Sequence, residues 1–307
     1  MTQDQPRLRE VPFPRESLAM RIFRRIGRDD LAWSLRRLYV PVDSKALVLE
    51  VGSGGNPFPR SNVLLDAYEV TRERHYQPLV NDRPIVLGVV EDMPFRDDAF
   101  DFVIACHVVE HSSNIAACLR ELQRVARAGY IECPDAFFER INPYMDHQYE
   151  VTERDGALVT RHKSSWIRDR ELVALYERQV KPSPKWLHHF RQNPFPFHVR
   201  YFWSRNSGGI CHVDVTPAAE QSLPFERGFT DERPQAARRT FRSTLTSVVR
   251  RVFSQRSQRS GIEITSLLQC LSCRQPGLTK TADNLVCNKC GRQYKADPIL
   301  RMFPERA

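Results

Sequence analysis

Residues 46–55 read ALVLEVGSGG, an apolar run ending in a glycine cluster, the pattern of a strand buried on both faces that enters a tight turn. Similar runs follow at 62–66 (NVLLD), 85–90 (IVLGVV), 100–106 (FDFVIAC) and 128–133 (AGYIEC). Between the last two, Ser112 or Ser113 offers a cap for a helix with Ile115, Leu119, Leu122 and Val125 on one face. This alternation predicts an α/β fold, a doubly wound and mostly parallel sheet with right-handed crossovers. Farther along, 198–204 (HVRYFWS) and 209–215 (GICHVDV), joined by Arg205 to Gly208, predict a C-terminal antiparallel hairpin. The first forty residues predict short helices, with Asp29 and Asp30 as a cap.

The glycine cluster decides the ligand class. Gly52, Ser53 and Gly54 stand where backbone must approach a ligand closely and a Cβ would obstruct it. A nicotinamide-dinucleotide turn would place a further glycine at 57, where this chain has Pro57, and Asp66 arrives too early for that fingerprint. Taken together, LVLEVGSGG (47–55), LLD (64–66) and EDMPFRDDAFDFVIACHVVEH (91–111) resemble the class I S-adenosylmethionine-dependent methyltransferases, in the group with an LPF-type motif before the fourth strand. The resemblance covers residues 44–135. It implies that Glu50 sits near the amino-acid end of the cofactor, that Gly52, Ser53 and Gly54 pass under it, and that Asp66 takes the ribose hydroxyls. A carboxylate suits a vicinal diol because it accepts two hydrogen bonds at once. Where the family often has an adenine-contacting Asp this chain has Val89, so Glu91 or Asp92 is the substitute. Met93 and His107 complete the implied cofactor set.

His107, Glu110 and His111 spell H-x-x-E-H, one zinc-peptidase pattern. The motif begins at the end of a strand, whereas a peptidase needs both histidines on one helix face and a distant third ligand, so peptidase chemistry is disfavoured. Methyl transfer mainly needs alignment and exclusion of water, since a sulfonium is already an activated donor. A hydroxyl acceptor would add a general base, for which His107, His111, Asp135 and His147 are positional candidates. The stretch 135–197 is rich in Phe, Tyr, Trp and His, and is read as a cap that shapes the acceptor pocket, though most of its rings can equally pack a subdomain core. Neither an amino-methylating Asn or Asp-Pro-Pro-aromatic motif nor a cytosine-methylating Pro-Cys follows the fourth strand, so nucleobase chemistry is disfavoured.

Cys270, Cys273, Cys287 and Cys290 form two C-x2-C knuckles, the spacing that gathers four thiolates around structural zinc. Residues 266–303 resemble the small zinc-binding activator family that partners methyltransferases of tRNA, ribosomal RNA and release factors. The likeness rests on the leading leucines, both knuckles, Tyr294 and the apolar tail. It implies a small C-terminal zinc ribbon fused as a stabilising or activating module.

The chain has 307 residues and a net charge of +9, but 41–232 carry 22 basic and 28 acidic side chains, while 233–260 hold eight arginines and no acid. Basicity therefore belongs to one segment. Phe241, Leu245, Val248, Val249 and Val252 lie at helical spacing within it, so it is read as docking on the acidic body or on anionic membrane, with nucleic acid less favoured. The chain opens on Met1 to Gln5 without an apolar leader and contains no apolar run of eighteen, so a soluble cytoplasmic protein is expected. The expected organisation is an N-terminal helical segment (1–40), a methyltransferase domain (41–232), a basic amphipathic linker (233–262) and a zinc-ribbon module (263–307). The expected activity is methylation of a small-molecule, saccharide or lipid-linked acceptor. Alternatives are a tRNA or translation-factor methyltransferase and a non-catalytic cofactor-fold scaffold.

Overall fold

The computed structural model describes residues 12–72, 76, 78–226 and 261–304; the arginine-rich segment lies outside the described residues. In chain order the elements are α1 (Leu18–Arg25), α2 (Asp29–Leu35), β1 (Val48–Val51), β2 (Val63–Asp66), β3 (Ile85–Leu87) and β4 (Phe100–Cys106). Next come α3 (Ile115–Val125), β5 (Ala126–Pro134), α4 (Ala136–Ile141), β6 (Tyr149–Arg154), β7 (Ala157–His162), α5 (Arg170–Leu175), α6 (Pro184–Gln192), β8 (His198–Ser204) and β9 (His212–Asp214). The C-terminal elements are β10 (Leu278–Lys280), β11 (Asn284–Cys287), β12 (Gln293–Lys295) and β13 (Leu300–Arg301). Two compact units interleave along the chain. The first comprises Met1–Pro41, His107–Ser113 and Tyr130–Asp231, and the second Val42–Cys106, Asn114–Gly129 and Glu232–Ala307.

In the second unit the strand order is β13-β3-β2-β1-β4-β5. β1 pairs in parallel with β2 (Leu49↔Val63) and with β4 (Val48↔Phe102). Every residue of β1, β2 and β3 is buried, which is why these strands read as unbroken apolar runs instead of alternating. Order reverses at β1, so the crevice beyond its carboxyl end is a topological switch point, where open α/β sheets bind ligands. α3 buries Ile115, Cys118, Leu119, Leu122 and Val125, the face its periodicity predicts. Its cap is Asn114, whose side chain accepts from Ala117 N–H, and not Ser112 or Ser113.

The cysteine segment folds as the antiparallel sheet β10-β11-β12, with Leu278↔Cys287 and Leu285↔Tyr294 in register. Its chain then returns as β13, parallel to β3 (Leu300↔Val86), and Met302 N–H bonds Leu87 O at 2.7 Å. A second attachment runs along the loop before β4, where Phe95 bridges Leu268, Arg96 N–H bonds Leu267 O at 2.9 Å and Gln269 N–H bonds Pro94 O at 2.8 Å. The module is thereby continuous with the sheet.

In the first unit β5, from Tyr130 onward, neighbours β8. A second sheet has the order β6-β7-β9. β6 and β7 form a tight hairpin through Asp155 and Gly156, both at positive φ (51° and 75°), the backbone a two-residue type I′ turn requires. The expected hairpin of 198–204 with 209–215 does not form. β8 joins the large sheet, whereas β9 pairs in parallel with β7. The cause is local: Gly208 and Gly209 both take positive φ, and the Tyr201 hydroxyl accepts Cys211 N–H at 3.0 Å, a group a hairpin would have paired with backbone. Asp29 and Asp30 lie inside the first turn of α2, favourable for the helix dipole, and make no side-chain cap. Phe138, Tyr176 and Phe197 form a buried cluster with Trp186 and Phe190 against it, so these rings are core.

The attachment of β13 depends on residue 88 having no side chain. A Cβ on Gly88 would sit 2.7 Å from Met302 O and 3.3 Å from Leu65 Cδ1. We expect Gly88→Ala to cost about 1–3 kcal/mol by overpacking, read by denaturant unfolding, with earlier proteolysis of the C-terminal module. Unchanged stability would show that this junction carries no load.

Candidate functional site

In the second unit, β1 delivers Glu50 and the glycine turn. Gly52 and Gly54 take positive φ (61° and 55°), a region that favours glycine. Gly52 N–H bonds Leu65 O at 2.8 Å, tying the turn to β2. Asp66, at the end of β2, is buried and accepts Gly54 N–H at 3.0 Å and Tyr68 N–H at 3.1 Å, one on each oxygen. Ser53 is 5% exposed, and among the described residues its Oγ has no hydrogen-bond partner, an orphaned polar atom at the head of the turn. Glu50 faces inward, where Oε2 accepts Phe58 N–H and the Ser61 hydroxyl, each at 2.7 Å. Arg83, which the sequence did not single out, donates to Phe58 O, Ser61 O and Ser61 Oγ and fixes that loop.

The acidic loop is held from two directions. Met93 is fully buried, and its N–H bonds Glu121 Oε2 at 2.7 Å. Arg124 of α3 donates to Met93 O at 2.9 Å and Phe95 O at 2.7 Å. From the C-terminal module, Arg274 pairs with Asp92 at 2.6 Å. Glu91 is half-buried on the same loop.

The four cysteines converge, with Cys270 to Cys290 and Cys273 to Cys287 Sγ distances of 3.6 Å. A tetrahedron with Zn–S bonds of about 2.3 Å has edges of about 3.8 Å, whereas a disulfide needs about 2.05 Å. The cluster is therefore spaced to hold a metal ion. Tyr294 supports it, its oxygen 3.2 Å from Cys270 Sγ and accepting Leu271 N–H at 2.8 Å.

The remaining candidates fall in the first unit. His107, at positive φ (58°), places Nδ1 3.3 Å from Glu110 Oε1 and Nε2 3.9 Å from Glu132 Oε1. Burial lowers its pKa, but the hydrogen bond and charge of Glu110, with the charge of Glu132, outweigh burial and raise it. For Glu110, burial acts upward, but the His107 hydrogen bond and the nearby imidazoles prevail and hold it at about 2. His147 bonds Glu139 Oε2 through Nδ1 at 2.9 Å, and Lys163 Nζ donates to Glu139 Oε1 at 2.6 Å. His111 places Nδ1 3.4 Å from Asp146 Oδ2. Asp135 is occupied as the cap of α4, accepting Phe137 N–H at 2.8 Å and the Thr152 hydroxyl at 2.7 Å, so its position serves a helix terminus.

Glu132 is the deepest charge, with a side chain fully shielded from solvent. Arg36 grips it with two parallel bonds of 2.8 Å, and the Tyr130 hydroxyl donates to the same carboxylate. Burial opposes ionisation, yet the charge and hydrogen bonds of Arg36 hold the carboxyl well below its ordinary range. A lone acid in the apolar run AGYIEC signals that a cation must come to it, but nothing in the local pattern identifies Arg36.

Residues 59–131 match the family model described as a methyltransferase domain. No curated protein matches. Among solved structures, the YcgJ protein of Bacillus subtilis is 19% identical, with 34% of this chain and 50% of that one covered at a TM-score of 0.27. A SAM-dependent methyltransferase of Thermotoga maritima is 18% identical, with coverage of 38% and 61% and a TM-score of 0.26. A Haloferax volcanii complex between the Trm112 methyltransferase activator and a candidate methyltransferase is 16% identical, with coverage of 62% and 96% and a TM-score of 0.35. The chain thus spans half of the first relative's length and less than two thirds of the second's. The methyltransferase-domain match covers residues 59–131, within an open, mostly parallel α/β sheet in which β3-β2-β1-β4-β5 are neighbours in that order. No helix among the described residues is long and apolar enough to cross a membrane.

Removal of the Arg36 fork tests the buried charge. Arg36→Met should destabilise the fold by about 3–5 kcal/mol at neutral pH, because an ionised carboxylate is left without its partner. Because the folded-state pKa of Glu132 is depressed, its contribution is present above the ordinary carboxylate pKa and is lost as pH falls. The gap between wild type and variant in urea unfolding should therefore narrow from pH 7 toward pH 3. A gap independent of pH would contradict this account.

Proposed function

We propose that this chain is an S-adenosylmethionine-dependent methyltransferase acting on a small-molecule, saccharide or lipid-linked acceptor, with a structural zinc ribbon built in. The carrying observation is the turn at the switch point, where two glycines at positive φ flank a buried Ser53 whose hydroxyl has no partner among the described residues. The cofactor, when bound, supplies a methyl group already activated on a sulfonium. Gly52 and Gly54 give it close backbone approach, Ser53 Oγ gains a partner, and Asp66, buried at the end of β2 beside the turn, is the carboxylate for the ribose hydroxyls. Glu91 or Asp92, neighbours on the acidic loop, would meet the adenine amino group, and Arg274 of the C-terminal module pairs with Asp92.

The acceptor class is supported by an open cavity of about 460 Å³ in the first unit, lined by Arg21, Arg24, Arg200, Glu16 and Glu153. Pro14, Phe195 and His198 stand among these charged groups, a mixed lining that suits a small acceptor. The ribbon supports the second reading, methylation of tRNA or a translation factor, but the acidic balance of residues 41–232 weighs against a nucleic-acid partner. Zinc in the four-cysteine cluster would keep Leu267, Leu268 and Gln269 on the Pro94–Arg96 backbone and so hold the acidic loop in place.

Calorimetry on the full chain tests the cofactor. Micromolar to sub-millimolar binding of S-adenosylmethionine or its demethylated product is expected, weakened at least tenfold, about 1.4 kcal/mol, by Asp66→Ala and by Gly52→Val. Wild-type protein silent at millimolar ligand would favour the scaffold reading, and methylation of tRNA in preference to small acceptors, read with radiolabelled cofactor, would favour the second.

The zinc assignment has its own test. Cys270→Ser and Cys287→Ser should each lose one zinc equivalent by metal analysis and loosen the module, because four thiolates do not stay clustered without metal. Reduced wild-type protein whose cysteine cluster retains no zinc would rule out the ribbon's metal.

A further inference from the structure

Glu110 and His111 close the single 3-10 turn after β4, and His147 lies in the loop before β6. One ligand atom from each lies within 4.8 Å of the other two. The His111 and His147 rings meet edge to face, with centroids 4.5 Å apart at 83°, and His147 Nε2 is 4.0 Å from Glu110 Oε1. Backbone fixes the pieces together: Gln148 N–H bonds Glu110 O at 2.7 Å, and the Gln148 side chain bonds His111 O at 2.9 Å.

The hydrogen-bond inventory leaves this cluster short of donors. Glu110 is 1% exposed, and while Oε1 stands 3.3 Å from His107 Nδ1, its Oε2 has no hydrogen-bond partner among the described residues; nor has His111 Nδ1, which stands 3.4 Å from Asp146 Oδ2. His147 directs Nδ1 to Glu139 at 2.9 Å, and Lys163 secures Glu139 from behind. With the proton on Nδ1, the Nε2 lone pair faces Glu110. A carboxylate on the ring nitrogen remote from the ligand atom, as Glu139 stands to His147, is the outer-shell device that orients a metal-binding histidine and raises its basicity. Tyr144 stacks on the His147 ring at 4.5 Å and restricts its rotation.

We infer that Glu110, His111 and His147 form a mononuclear site for a divalent first-row transition metal, separate from the cysteine cluster. Two imidazoles and one carboxylate suit zinc, manganese or iron, whereas calcium and magnesium prefer all-oxygen shells. The site is not the peptidase arrangement that H-x-x-E-H spells, because the motif lies on a 3-10 turn and the third ligand comes from a distant loop. Metal binding stands independently of methyl transfer.

Manganese separates the two metal sites, since a four-thiolate site discriminates against it. Full-length protein with its ribbon zinc in place is titrated with Mn²⁺ and followed by electron paramagnetic resonance. One Mn²⁺ per chain is expected, lost in Glu110→Gln and weakened at least tenfold in His111→Gln, while the zinc content of the cysteine cluster stays constant. The His111 side chain is 22% exposed, so this second variant should unfold cooperatively even if Glu110→Gln does not. Wild-type protein that takes up neither Mn²⁺ nor a second Zn²⁺ at millimolar metal would overturn the inference, as would undiminished binding by a folded His111→Gln variant.

Discussion

Burying a carboxylate is expensive unless donors meet it, several kcal/mol per ion even after relaxation, and this fold buries Glu50, Asp66, Glu110 and Glu132. Much of the surrounding structure can be read as the answer to that demand. Glu50 takes a backbone N–H and the Ser61 hydroxyl, and Arg83 closes the same loop. Asp66 takes two backbone N–H groups, which shapes the glycine turn as a by-product. Glu132 takes the Arg36 fork and Tyr130, which fixes the end of the N-terminal helical segment against β5. At Glu110 the supply falls short, because one oxygen faces His107 and the other has no donor.

The second unit solves a different problem. A parallel sheet that ends at β3 would expose a row of unpaired backbone groups, a template for aggregation. Here β13, from the far end of the chain, covers it. The same module meets the backbone of Pro94 to Arg96. The cysteine module and the completed sheet edge are thus joined through one stretch of backbone, and the acidic loop between β3 and β4 is held by both α3 and the module. Arg124 makes the α3 side of this grip, with bonds to Met93 O and Phe95 O.

The aromatic stretch after β5 illustrates how composition under-determines role. Its rings are compatible with a cap over a pocket or with a subdomain core, and Phe138, Tyr176 and Phe197 take the second role, buried together with Trp186 and Phe190 packed on them. Large rings at irregular spacing carry enough apolar area to build a small core by themselves. The polar lining of the open cavity comes instead from arginines and glutamates of α1, β6, β8 and their flanks.

Local pattern determined what local physics controls. The parallel strands were legible because burial on both faces demands continuous apolar residues, and the glycine turn because positive φ at positions 52 and 54 excludes most side chains. The cysteine knuckles were legible because ligand spacing is local. The β6–β7 hairpin was equally legible in Asp155-Gly156, and the aromatic setting obscured it. Tertiary structure alone decided that Arg36 neutralises Glu132, that Lys163 supports Glu139, that His147 reaches Glu110, and that β8 and β9 part into different sheets. Each of these joins groups distant in sequence, or, for β8 and β9, follows from how Tyr201 and two left-handed glycines redirect the chain. A residue's demand for a partner is written in its own chemistry, but which partner meets it depends on where the rest of the backbone closes.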